Sequence, residues 1–227
     1  MEDTILTTSD PEGPRRVQAV VALRLLEVIR DQDLPGEILE EEDPTQTIPR
    51  RFGLSNVVER QIRTYKDDVR RRIRLTDGEI HGLFRLVIRR PDGSDVFHQA
   101  GKLLANGRRP KRWVRVFPKG LQYRVARATA MKKLRKLFGR QVGGFGRAPF
   151  LIEGRALLFI ESDPGGDACH LISGFSEEIL EHTLGGTAEV SHTCCQGQGD
   201  DLCRWEGKVV ESAVTVADMP GRDEDDS

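Results

Sequence analysis

All four cysteines of this 227-residue chain fall between positions 169 and 203, in "CHLISGFSEEILEHTLGGTAEVSHTCCQGQGDDLC". If they converge, they fasten a helix start to a strand pair, and the C-terminal fold is constrained accordingly. They could form a metal site, a disulfide, a redox centre or a cluster of small buried side chains. The compartment helps to order these readings. The chain has no run of about 18 apolar residues, and its start, "MEDTILTTSDPEG", is acidic and polar where a signal peptide would be basic and then apolar. The expectation is a cytoplasmic protein. In a reducing compartment paired cysteines more often hold metal or do chemistry than form a stable disulfide.

Local patterning places the cysteines on elements. Residues 15–33 are apolar at helical spacing and predict a helix that ends near Leu34-Pro35. The acidic, proline-bearing stretch after it reads as a linker. A second helix is expected from Asn56, and a third opens with the capping box Thr76-x-x-Glu79. Pro91-Asp92-Gly93 stops it, and Ser94 is placed to cap a fourth. A long basic helix is expected from Pro118 to Phe138, ended by Gly139.

Beyond Gly139 the composition shifts to glycine and β-branched residues. "ALLFIESD" (156–163) reads as a buried strand closed by the turn "PGGD". A helix then opens at Cys169, with Leu171, Phe175, Ile179, Leu180 and Leu184 facing inward, and stops at Gly185-Gly186. "TAEVSHTCC" and "LCRWEGKVV" predict an antiparallel hairpin across "QGQGDD". The fold class is therefore α+β, helices packed on a small twisted antiparallel sheet. Its parts are an N-terminal helix and acidic linker (1–53), a main domain (54–210) and an acidic disordered tail (211–227).

On this scaffold Cys195 and Cys203 flank the hairpin connection, and a packed helix could bring Cys169 to them. His192 would complete a Cys3His set, a common structural zinc shell. One point opposes this. In a regular strand His192 and Cys195 point to opposite faces, so a bulge or the strand's end must intervene. Buried cysteines remain an alternative, and the vicinal Cys194-Cys195 pair keeps redox chemistry open.

The segment 150–206 resembles the 4-vinyl-reductase-type (hydrocarbon-binding) domain family of bacteriochlorophyll biosynthesis accessory proteins and of sensors in aromatic-responsive activators. The matching features are a Cys opening a helix with "GF" one turn on, a Gly break, a strand with Glu-Val, and Cys-x7-Cys around a Gly-Asp turn followed by Arg and an aromatic. The resemblance implies a structural zinc held by Cys169, Cys195 and Cys203, with His192 standing where the family usually has Glu. It implies a fold similar to that of vesicle-tethering subunits and haem-based nitric-oxide sensors, often a homodimer, with a pocket for a hydrophobic small molecule. Candidates to line such a pocket are Phe97, His98, Leu103, Leu104, Trp113, Phe117, Tyr123, Phe145, Phe150, Phe159 and Phe175, each equally at home in a core.

The function expected is a ligand sensor, carrier or accessory protein, open to a regulatory protein partner. The alternatives are an accessory factor in bacteriochlorophyll or tetrapyrrole synthesis, nominally a vinyl reductase, and an anion binder. The formal net charge of -1 conceals segregation behind that last alternative: "EILEEED" and "GRDEDDS" are acidic, whereas residues 108–140 contain no Asp or Glu. A solvated helix face explains the basic segment as well, and nucleic acid is not the expected partner. No phosphate loop or dinucleotide fingerprint is present, and a filled tetrahedral shell leaves a zinc ion no open position for catalysis.

Overall fold

The computed structural model describes residues 14–33, 56–106, 112–139, 149–155, 158 and 160–210, with 33, 56, 57, 112, 113 and 161 described in backbone only. The acidic linker, the acidic tail, Phe145 and Phe159 lie outside the described residues, as does the side chain of Trp113.

The architecture is α+β. Six helices are described: α1 (Ala19–Asp33), α2 (Asn56–Arg70), α3 (Asp77–Ile88), α4 (Gly93–Ala105), α5 (Lys119–Phe138) and α6 (His170–Leu184). A two-residue antiparallel pair joins β1 (Val17–Gln18) to β2 (Arg74–Leu75). The main sheet is antiparallel in the order β3-β5-β4, from β3 (Leu151–Gly154), β4 (Thr187–Cys194) and β5 (Cys203–Val210). No helix among the described residues is long and apolar enough to cross a membrane.

Helix limits follow the local chemistry. Thr76 forms the full capping box: its hydroxyl accepts from the Glu79 N–H at 3.2 Å while the Glu79 carboxylate accepts from the Thr76 N–H at 2.7 Å. Thr76→Ala should cost about 1 kcal/mol, read as a shift in denaturant midpoint at unchanged slope. Gly139 ends α5 with φ +60°, a left-handed conformation that glycine adopts without a Cβ penalty.

Three expectations need correction. The first helix begins at Ala19, because Val17 and Gln18 pair with β2 instead. Ser94 does not cap α4, which starts at Gly93 with Asp92 in the cap position and no side-chain cap bond. Within the expected strand at 156–163, the described residues hold a turn at Leu158 and a 3-10 turn at Ile160–Ser162, with 156, 157 and 159 outside the described residues, and the sheet takes Leu151–Gly154 as its edge. A short apolar run has no period that separates a strand from a buried turn. Here the turn prevails because Asp163 accepts from the N–H groups of Gly165, Gly166 and Ala168 at 3.1, 3.0 and 2.5 Å, folding the chain sharply toward α6.

The core is centred on α4 against α6, the most extensive helix contact among the described residues. Two glycines allow it. A Cβ on Gly101 would strike the Leu171 carbonyl and stand 2.8 Å from Phe175 N, while one on Gly174 would strike the His98 carbonyl and stand 2.8 Å from His98 C. The two backbones therefore touch. On the opposite side of α6 the sheet packs closely at Gly207, where a Cβ would stand 2.7 Å from Leu180 Cδ1. Phe84 and Phe97 meet edge to face at 5.2 Å within the same core.

Candidate metal centre

Three elements deliver the four ligand candidates. Cys169 ends the 3-10 turn Asp167–Cys169 and precedes α6, Cys203 opens β5, and Cys195 follows the end of β4. The strand pair carries the irregularity that the spacing requires. His192 pairs with Trp205 but Cys194 pairs with Arg204, so Thr193 is an extra residue. This bulge resets the alternation, and His192 and Cys195 converge with the other two sulfurs.

The donor atoms of Cys169, His192, Cys195 and Cys203 all lie within 4.8 Å of one another. Cys169 Sγ stands 4.0 Å from Cys195 Sγ and 3.9 Å from Cys203 Sγ. Metal–sulfur bonds of about 2.3 Å in a tetrahedron place sulfurs about 3.8 Å apart. The sulfurs therefore stand where one ion could touch all three, and all four cysteines are free. Cys169, Cys195 and Cys203 are buried, and His192 Nε2 is enclosed and makes no hydrogen bond. Such a nitrogen is costly to bury without a partner, and a metal ion would supply one.

Electrostatics in the cluster favour a ligand-ready thiolate. The Cys203 thiol is held well below its usual range, chiefly by its hydrogen bond with Cys169, against the opposing effect of burial; the adjacent His192 and the Gln196 N–H, 3.3 Å from Cys203 Sγ, add to the effect. Cys169 is pushed up by the same pairing with Cys203, then by burial. Metal binding would displace the remaining thiol protons, since the ligand form of cysteine is the thiolate.

The surrounding residues fix this geometry, and residue spacing alone did not reveal them. Trp205 stacks on His192 at 4.9 Å with 14° between planes, and its indole N–H donates to the Cys169 carbonyl at 3.2 Å. Asp200 accepts from the Cys195 N–H at 2.7 Å, and Gln198 Nε2 donates to the Gly165 carbonyl at 3.1 Å. Gly166 has φ +89°, and a Cβ there would lie 2.8 Å from Cys195 Sγ. The only available hint was the Gly and Asp content of "DPGGD" and "QGQGDD", which marks turns but not what they hold. Cys194 is outside the quartet and partly exposed.

Among the described residues, the expected pocket side chains do not converge on one described hollow. Phe97, Leu104, Phe150 and Phe175 are buried in the continuous core, and Leu103 packs against it. His98 Nε2 pairs with Glu177 at 2.9 Å, beside Lys102. Phe117 is exposed. Tyr123 alone among them borders the described hollows: one of about 400 Å³ with Arg115, Lys119, Gln122, Leu184 and Val209, and one of about 520 Å³ with Leu121, Arg124 and Arg127. Its hydroxyl accepts from the Val209 N–H at 3.3 Å. Comparison of the chain with protein-family models, with curated proteins and with solved structures found no match.

Proposed function

We propose that this chain is a non-catalytic binding module whose C-terminal half is fastened by a structural zinc ion held by Cys169, His192, Cys195 and Cys203. The observation that carries the reading is the quartet of three thiols and one imidazole whose donor atoms lie within 4.8 Å of one another, with His192 Nε2 enclosed and without a hydrogen bond. Four protein donors complete the shell that zinc adopts in structural sites, and they leave no position for substrate or water. Three sulfurs favour zinc over magnesium or calcium, which prefer oxygen.

What the module binds is a small molecule with an apolar body, in the sense of a sensor, carrier or accessory protein. The hollow beside Tyr123, Leu184 and Val209 supports this, since its volume of about 400 Å³ falls in the usual range of ligand sites. Arg115 and Lys119 on its wall suit a ligand that also carries an anionic group. Elemental mass spectrometry on untagged protein, purified without chelator, should find about one zinc per chain, and removing it with a strong chelator should lower Tm. Protein that contains no stoichiometric metal, or whose Tm ignores the chelator, would return the cysteines to the redox or packing alternatives. Native mass spectrometry of the same sample addresses the retained small molecule, and a tetrapyrrole would declare itself by absorbance.

A further inference from the structure

Near the C-terminal end of α5, a further hollow is left unused by both the metal centre and the ligand site at Tyr123. It measures about 400 Å³ and is bordered by Gln18, Val20, Val69, Arg72, Ile73 and Lys136. Lys136 lies roughly 25 Å along α5 from Lys119, so the two ligand hollows are separate. Three elements fix its walls. β1 pairs with β2 across Gln18 and Arg74, and the Ala19 N–H donates to the Ile73 carbonyl at 3.3 Å. The end of α5 closes on the chain before β1, where a Cβ on Gly139 would stand 2.9 Å from the Arg16 carbonyl oxygen.

Two observations set this hollow apart. Arg72 follows α2 with φ +59°, the one positive φ among the described residues other than glycine. The turn closes the helix, with the Arg72 and Ile73 N–H groups donating to the Val69 and Asp68 carbonyls at 3.1 and 2.8 Å. Glycine is the usual residue there, because a Cβ is disfavoured. An arginine held in that conformation is strain the turn itself does not require, and such residues gather at functional sites. The second observation is charge. Among the described residues the Arg72 guanidinium and the Lys136 ammonium make no hydrogen bond or ion pair, and no acidic side chain borders the hollow. Neighbouring cations are engaged: Arg70 with Asp67 at 3.1 Å, Arg15 with the Arg74 carbonyl at 3.3 Å, and Arg74 with the Arg16 carbonyl. One planar fork and one point charge together suit a dianion. A phosphate monoester carries about -1.5 to -2 charges near pH 7. Val20, Val69 and Ile73 offer its organic part an apolar wall, and the volume is that of a small-molecule site. A nucleic-acid backbone would need a row of free cations, and those flanking this hollow are taken.

We infer that this hollow binds a small phosphomonoester, with Arg72 and Lys136 holding the phosphate, the Gln18 amide donating to it, and Val20, Val69 and Ile73 against the organic part. The inference is independent of zinc and of the hollow at Tyr123. Full-length protein is titrated calorimetrically with phenyl phosphate, inorganic phosphate and phenol. Phenyl phosphate should bind saturably, inorganic phosphate more weakly and phenol not at all. Arg72→Gly separates binding from folding, because glycine suits φ +59°: affinity for phenyl phosphate should fall at least tenfold while Tm stays at or above that of wild type. If Arg72→Gly lowers Tm, Arg72→Gln, which keeps the Cβ, takes its place. Lys136→Gln, on the exposed side of α5, should weaken binding about tenfold at unchanged Tm. The inference is overturned if neither phenyl phosphate nor inorganic phosphate binds, or if phenol binds as well as its phosphate. It is also overturned if the Arg72 and Lys136 variants bind like wild type, or if the protein takes a duplex oligonucleotide while ignoring phenyl phosphate.

Discussion

Gly174→Ala should destabilise the protein by about 3 kcal/mol or more, a large share of the 5–15 kcal/mol available to an ordinary domain. Helix propensity alone argues the opposite, since alanine in a helix interior is favoured over glycine by about 1 kcal/mol. The contact geometry decides the sign. The added methyl would meet the backbone of His98, with His98 C at 2.8 Å and Cα at 3.1 Å, and a backbone carbonyl cannot rotate away as a side chain tip can. Relief requires α4 and α6 to separate, which opens the core around Phe97 and Phe175. Gly82→Ala supplies the internal control. Gly82 is also inside a helix, but a Cβ there meets nothing within 4 Å, so this variant should gain up to about 1 kcal/mol. Urea denaturation of the pair should therefore give shifts of opposite sign. Equal shifts would mean that the two helices do not cross as closely as described.

Cys203→Ser should abolish stoichiometric metal binding and lower Tm by more than any other single change at the centre. Cys203 is fully buried, accepts from the Gln196 N–H, and is held below the usual thiol range chiefly by its hydrogen bond with Cys169. A serine hydroxyl offers neither the charge nor the softness, and it leaves three donors for a four-donor ion. Structural zinc in small domains binds with an apparent 10–16 kcal/mol, so loss of even part of that coupling loosens the turn, the hairpin and the start of α6 together. Cys194→Ser separates coordination from general thiol effects. Cys194 is outside the quartet and partly exposed, so its change should keep the metal and alter stability by no more than about 0.5 kcal/mol. If Cys194→Ser loses metal as Cys203→Ser does, Cys194 belongs to the site and the quartet as drawn is wrong. Affinity should also fall on acidification, because protons compete for the same thiolates.

Long, capped and strongly periodic elements were legible in the residue pattern. The Thr76 box, the Gly139 stop and the hairpin across "QGQGDD" all stand where their chemistry placed them. The quartet was legible because thiols announce themselves; its one geometric objection, the i, i+3 spacing of His192 and Cys195, is met by the extra Thr193. Bulge positions depend on cross-strand register, which no single strand encodes. The edge strand Leu151–Gly154 escaped notice for a related reason: four residues with one buried isoleucine and one glycine form a strand only because Arg204 and Trp205 lie opposite. Its Glu153 joins the Arg204 guanidinium at 2.7 and 2.9 Å, a pairing invisible before the register is known. The aromatic side chains expected around a pocket illustrate the converse. Their composition suits a cavity and a core equally, and Phe97, Phe150 and Phe175 fill the core.

The central claim is that one ion sits inside a shell of three sulfurs and one imidazole nitrogen. X-ray absorption at the zinc edge, on protein carrying one equivalent of zinc, reads that shell directly. The account predicts three sulfurs at about 2.3 Å and one nitrogen at about 2.0–2.1 Å, with the nitrogen contribution lost in His192→Ala. A shell dominated by oxygen or nitrogen, or a spectrum unchanged in His192→Ala, would contradict it.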